Sequence, residues 1–219
     1  MQNVRISSQQ RCGILLVVKK DITLPDGRVL CKVCMSIAIK SGDSIEAIKT
    51  NVINTLSKVG FDDLRVEDIS IEIVSAQRLA EIRKSPVNLQ IKGLTLSMFS
   101  ASMLGLFTGK NQTFRHTIYI LTHLTKVEFA GVLAHEMLHA WQTQNGIEMP
   151  PKQTEGLCNM GAYLMYNRLP SSLTKIHLKT LHESPDPIYG DGFREMHALY
   201  KDVGWKELIQ MIRNKQIKT

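Results

Sequence analysis

From Thr125 to Gln144 the chain can be little other than a helix buried along one side. Thr125 and Glu128 are spaced as a capping box, and Gly146 follows just past the end. Between them Ala130, Leu133, Ala134, Met137, Leu138 and Trp141 recur at helical spacing. Such a helix has to pack against something, so the remaining chain must supply a core. With 219 residues, 43% hydrophobic and 21% charged, it can do so as one domain of ordinary size. The same composition excludes disordered, collagen-like and coiled-coil chains.

Before Thr125 the pattern is that of short strands with helices between them. Residues 13–18 and 28–33 read as the arms of a hairpin around Leu24, Pro25, Asp26 and Gly27. Asp43 to Glu46 resembles a capping box for a helix bearing Ile45, Ile48, Val52, Ile53 and Leu56, ended by Gly60. Residues 69–74 alternate as a strand, and 77–84 form a short helix stopped before Pro86. Residues 94–99 and 116–121 are further strands. The second is rich in β-branched and aromatic side chains and is expected in the core, with edge pairing to an extended peptide as its alternative. After Thr125 everything reads as helix. Pro150 and Pro151 open one over residues 152–167, Ser171 or Ser172 caps another ending at Glu183, and Gly204 separates two more, 190–201 and 205–212. The class is α+β, a small N-terminal sheet region followed by a helical half.

The helix opened by Thr125 contains His135-Glu136-Met137-Leu138-His139, an H-E-x-x-H arrangement. Residues four apart lie one turn apart on the same face, so both imidazoles can reach one ion, while Glu136 stands beside them. Zinc needs a third protein ligand and an open position for water. Glu155, near the start of the next helix, is the expected supplier, and Gly156, Gly161 and Ala162 would let that helix approach closely. Asn159, one turn beyond Glu155, could accept the remaining N–H of a ligand histidine. A three-ligand zinc acidifies its bound water and polarises a carbonyl, with Glu136 as general base, which is the chemistry of amide hydrolysis. The oxyanion donor is sought among Tyr189, His197 and Tyr200, with Tyr189 preferred because Gly190 and Gly192 make a tight segment around it. Arg194 could brace a carboxylate there.

Lysine and arginine total 27 against 20 acidic residues, a net charge of +7. The basic residues are scattered and no DNA- or RNA-module signature accompanies them, so nucleic acid is not the expected partner. No apolar run reaches the ~20 residues of a spanning helix. Residues 12–18 are apolar but run into Lys19, Lys20 and Asp21 without a cleavage site, so no secretory signal is expected and the chain is placed in the cytoplasm.

Several segments together resemble one family, the LIM-domain metallopeptidases that limit organ size in plants, the DA-one family. The likeness is carried by Leu133-Ala134-His135-Glu136-Met137-Leu138-His139-Ala140-Trp141, by Glu155-Gly156-Leu157-Cys158 and by Tyr189-Gly190-Asp191-Gly192-Phe193-Arg194. Weaker echoes lie in Asp26-Gly27-Arg28, in Leu30-Cys31 with Cys34, and in Lys92-Gly93-Leu94 with Leu96-Ser97. The resemblance implies a zinc-dependent peptidase, gluzincin-like in fold, with His135, His139 and Glu155 on one catalytic Zn2+, Glu136 catalytic, and a peptide or protein as substrate. It also implies a LIM zinc module, of which only Cys12, Cys31 and Cys34 remain, with no histidine before His116. Residues 1–40 thus read as a degenerate LIM-like hairpin and 41–219 as the metallopeptidase domain. Whether the three thiols hold a second metal stays open. No segment resembles a ubiquitin-interacting helix, so ubiquitin coupling is not expected. Two other readings stand beside the peptidase: a non-catalytic module that keeps the fold and docks a partner, and a DNA-associated protease, for which a third histidine in place of Glu155 would be usual.

Overall fold

The computed structural model describes residues 21–101, 112–169 and 172–216. The first strand of the expected hairpin, residues 13–18, lies outside them, as does Cys12. What is described of the hairpin is short. β1 (Ile22–Thr23) pairs antiparallel with β2 (Val29–Leu30), and the turn between them holds Gly27 at φ 87°. The expected return strand over residues 28–33 is cut off at Leu30, because Cys31 takes extended backbone angles and accepts the Cys34 N–H, starting helix α1 (Lys32–Ser36). β3 (Ala38–Ile39) follows.

Helix α2 (Glu46–Ser57) begins after Ile45, and no side chain caps it. The capping box expected at Asp43 is not formed, since the Asp43 carboxylate accepts the Lys40 N–H at 2.8 Å instead. Val52 and Leu56 are fully buried, and Phe61 just beyond packs edge-to-face on Trp141 with ring centroids 4.8 Å apart. A single 3₁₀ turn leads into β4 (Ile69–Val74). Ser75 then caps α3 (Ala76–Arg83), its hydroxyl accepting the Arg78 N–H.

β5 (Gly93–Ala101), β6 (Gln112–Leu121) and the short β7 (Leu124–Thr125) complete the strands. The main sheet has the order β4-β6-β5, with β4 and β6 parallel and β5 antiparallel to β6. β6 is therefore the central strand. The stretch from His116 to Ile120 cannot take an extended peptide along an edge, because β4 and β5 already pair with both of its edges and His116, Ile118 and Ile120 are buried. β3 pairs with β7, which ties the N-terminal segment to the start of the next helix.

The helical half consists of α4 (Lys126–Gln144), α5 (Pro151–Arg168), α6 (Ser172–Glu183) and α7 (Tyr189–Arg213). Thr125 caps α4 by accepting the Glu128 N–H. α7 is broken at Gly204, whose φ of 78° belongs to glycine. α4 packs on the sheet with one side and on α5 with another, and α5 in turn packs on α7. Gly161 sets the first helix contact: a Cβ there would lie 2.9 Å from the Ala134 carbonyl. Gly156 and Gly192 set the second, each facing a backbone carbonyl of the other's helix. None of the helices is long and apolar enough to cross a membrane, among the described residues.

The α+β class stands. The gluzincin-like elaboration of it is corrected, because the metal-ligating side chains that converge across the α4–α5 contact are His135, His139 and Cys158. A gluzincin requires a glutamate as the third. The physical cause is the packing of α5 on α4, which buries Cys158 fully in that contact, where Gln142 of α4 donates to its Sγ.

Candidate metal centre

His135 and His139 lie one turn apart on α4, and their Nε2 atoms are 3.2 Å apart. The state of the first ring follows from its neighbours. Asn159 Nδ2 donates to the Tyr189 carbonyl at 3.0 Å, so Oδ1 of the same amide faces His135 Nδ1, also at 3.0 Å. An amide oxygen only accepts, hence Nδ1 carries a hydrogen and Nε2 is the nitrogen that faces His139. Cys158 completes the cluster. The ligand atoms of His135, His139 and Cys158 all lie within 4.8 Å of one another.

Glu155 reaches the same place from the first turns of α5. Its Oε2 is 3.2 Å from His135 Nε2 and 3.4 Å from His139 Nε2, at ion-pair distance but with no hydrogen-bond geometry. Burial works to raise this carboxyl, yet the two imidazoles outweigh it and hold the pKa at about 2. Burial likewise works to lower both imidazoles, and the Glu155 carboxylate reverses this and raises them. Burial pushes the Cys158 thiol well up, against a hydrogen bond from Gln142 Nε2 at 3.2 Å. The centre thus concentrates lone pairs around a buried carboxylate, and it is satisfied by a positive charge. A proton on the rings can provide that charge, and so can a cation, which would ionise the thiol as it binds. The His/His/Cys set is therefore able to coordinate one metal ion.

The remaining residues singled out in the sequence sit as follows. Glu136 is 5% exposed and its Oε2 accepts from Thr95 Oγ1 at 2.7 Å. Gly93 allows this, since a Cβ there would strike the Glu136 side chain. The Tyr189 ring lies 6.5 Å from the His135 ring, 19° from parallel, and is 46% exposed. Burial, followed by the charges of Glu155 and Glu136, pushes its hydroxyl up to about 12. Arg194 braces the Asp191 carboxylate. It also bonds the carbonyls of His182 and Ser184, which holds the segment leading into Tyr189. His197 and Tyr200 stand apart, in an aromatic group with Tyr163 and His182. The cluster opens into a cleft of about 1130 Å³ walled by β5, α4 and α5 and by the residues before α7.

Residues 71–172 match a family model, DA1-like: Protein DA1. The matched span begins in β4 and ends at the start of α6, so it contains both histidines, Glu155 and Cys158. It leaves out Cys31, Cys34, Tyr189 and Arg194, and by itself it shows neither a LIM remnant nor a peptidase core. No curated protein matches the chain, and no solved structure does.

The expectation of a zinc metallopeptidase, with the hydrolase and gluzincin-type assignments and Glu136 as general base, is corrected on this geometry. The H-E-x-x-H spacing is present, but the convergent set is His135, His139 and Cys158, which is not a catalytic pair of histidines with a glutamate. Glu136 is engaged by Thr95. Cys158 and Thr95 were missed in the sequence. Cys158 carried a signal, three residues after Glu155 on the same helix, whereas nothing local ties Thr95 to a residue 41 positions away.

Proposed function

We propose that the chain is a partner-binding module built around a metal ion, without peptidase activity. The observation that carries this reading is the convergence of His135, His139 and Cys158, with the two histidines lining a wide cleft and Cys158 buried behind them. Zinc suits two imidazoles and a thiolate. Glu155 supplies the charge that balances the ion, and Asn159 orients His135. The ion locks α4 to α5, and Arg194 fixes the segment carrying Tyr189, so that the cleft keeps one shape. Ile188 and Tyr189, at 41% and 46% exposure, offer apolar surface at its rim, which is what a docked protein segment would cover.

Cobalt(II) titration of the purified chain tests this directly. Tetrahedral d–d bands with a thiolate-to-cobalt charge-transfer band are expected, the latter lost in Cys158→Ser and both lost in His135→Ala. Glu136→Gln should leave metal binding and cellular function intact. Peptide cleavage by the wild type that disappears in Glu136→Gln would overturn the proposal.

A further inference from the structure

β5 and β6 run on past β4. Pairing with β4 uses only the end of β6 from His116 to Leu121, while pairing with β5 continues through Met98↔Arg115 and Phe99↔Phe114 to Ala101↔Gln112. Among the described residues the far part is thus a two-stranded arm with no third strand beside it. Such an edge is normally blunted by charge or proline. Here β5 has neither, and Leu96, Met98 and Phe99 are 41%, 66% and 54% exposed. Side chains alternate along a strand, so Leu96 and Met98 stand on one face and Phe99 on the other. The Phe99 ring lies 5.5 Å from that of Phe114 across the ribbon.

Two features choose the surface this arm fits. The first is that apolar side chains are exposed on both faces. A protein groove covers one face of a ribbon, whereas the boundary layer of a lipid bilayer wets both. The second is charge: no Asp or Glu occurs between Gly93 and Thr125, and exposed Arg115 lies directly across from Met98. Asp68, the acid that acts on His116 at the base of the arm, is paired with Arg65 at 3.1 Å. We propose that the arm docks the protein on an anionic lipid surface, with Met98 and Phe99 in the headgroup boundary and Arg115 against lipid phosphates. The contact is shallow, because the outer edge of β5 presents backbone groups that hydrocarbon would leave unsatisfied. The net charge of +7 favours the approach.

Flotation of the full chain with phosphatidylcholine vesicles, and with vesicles that also contain phosphatidylglycerol, tests the proposal. Binding is expected to the second kind, weakening with salt. The double variant Met98→Ser/Phe99→Ser should lose roughly tenfold or more in partitioning, and Arg115→Gln should lose the preference for the anionic vesicle. These side chains are exposed, so circular dichroism should stay unchanged. Phe99→Trp should show a blue-shifted emission on adding the anionic vesicles. Absence of vesicle binding, binding that survives the double variant, or an unshifted Trp emission would each overturn the proposal. So would a doubled mass in solution that the double variant abolishes, since the arm would then belong to a second copy of the chain.

Discussion

Asn159 uses both ends of one amide. Its oxygen fixes the His135 tautomer and its nitrogen holds the Tyr189 carbonyl, so the metal centre and the start of α7 share one hydrogen-bonding side chain. Asn159→Leu removes both, and zinc affinity should fall by about 10–100-fold in competition with a chromophoric chelator. His116 offers a prediction on pH. It is 1% exposed, bonded at Nδ1 to Ser97 Oγ, and its Nε2 has no hydrogen-bond partner among the described residues. Burial lowers its pKa below 6.5, with Asp68 opposing and Arg65 assisting. The unfolded chain therefore binds more protons than the native one as pH falls through this range. Stability contributed by His116 is complete above the unfolded value and is lost as pH drops toward the folded one. Between about pH 7 and pH 5 the denaturant midpoint of the wild type should drop relative to that of His116→Gln. The raised pKa values of His135 and His139 act in the opposite sense but equally in both proteins.

At the scale of elements, the α4–α5 and α5–α7 contacts are as close as glycine permits. Gly161→Leu would drive a side chain into the Ala134 backbone and Leu138. A loss of at least ~1–3 kcal/mol is expected from overpacking, read as a lower thermal midpoint. Gly204 meets nothing within 4 Å, but its φ of 78° and ψ of 174° lie in a region that essentially only glycine adopts, so Gly204→Ala should cost on the order of 1–3 kcal/mol through the backbone alone. The helices were legible because each carries its own punctuation: Thr125 and Gly146 around α4, Pro150 and Pro151 at the start of α5, Gly204 inside α7. The N-terminal elements were less so. Asp43 has the residue type and spacing of a cap, but its carboxylate finds the Lys40 N–H first. β2 was expected to be longer because nothing in Cys31 announces that it will turn the chain into a helix.

For the molecule as a whole, an ion held by His135, His139 and Cys158 would clamp together α4 and α5, whose close approach is set by glycine. A ligand that binds only the folded state stabilises it by RT ln(1 + [L]/Kd), about 2.7 kcal/mol at a hundredfold excess over Kd. Zinc should therefore raise the thermal midpoint of the wild type and leave that of His139→Ala unmoved. Scanning calorimetry with and without a chelator measures this.

Local pattern alone determined that α4 is a helix, that His135 and His139 share its face, that α5 follows in close contact, and that the class is α+β. These are consequences of period, capping and glycine placement within a few residues. Which strand lies at the centre of the sheet, which side of α5 faces the histidines, and so whether a thiol joins them, were decided only when distant segments packed. The rotation of a helix about its axis is set by its neighbours, and no short stretch of sequence contains them.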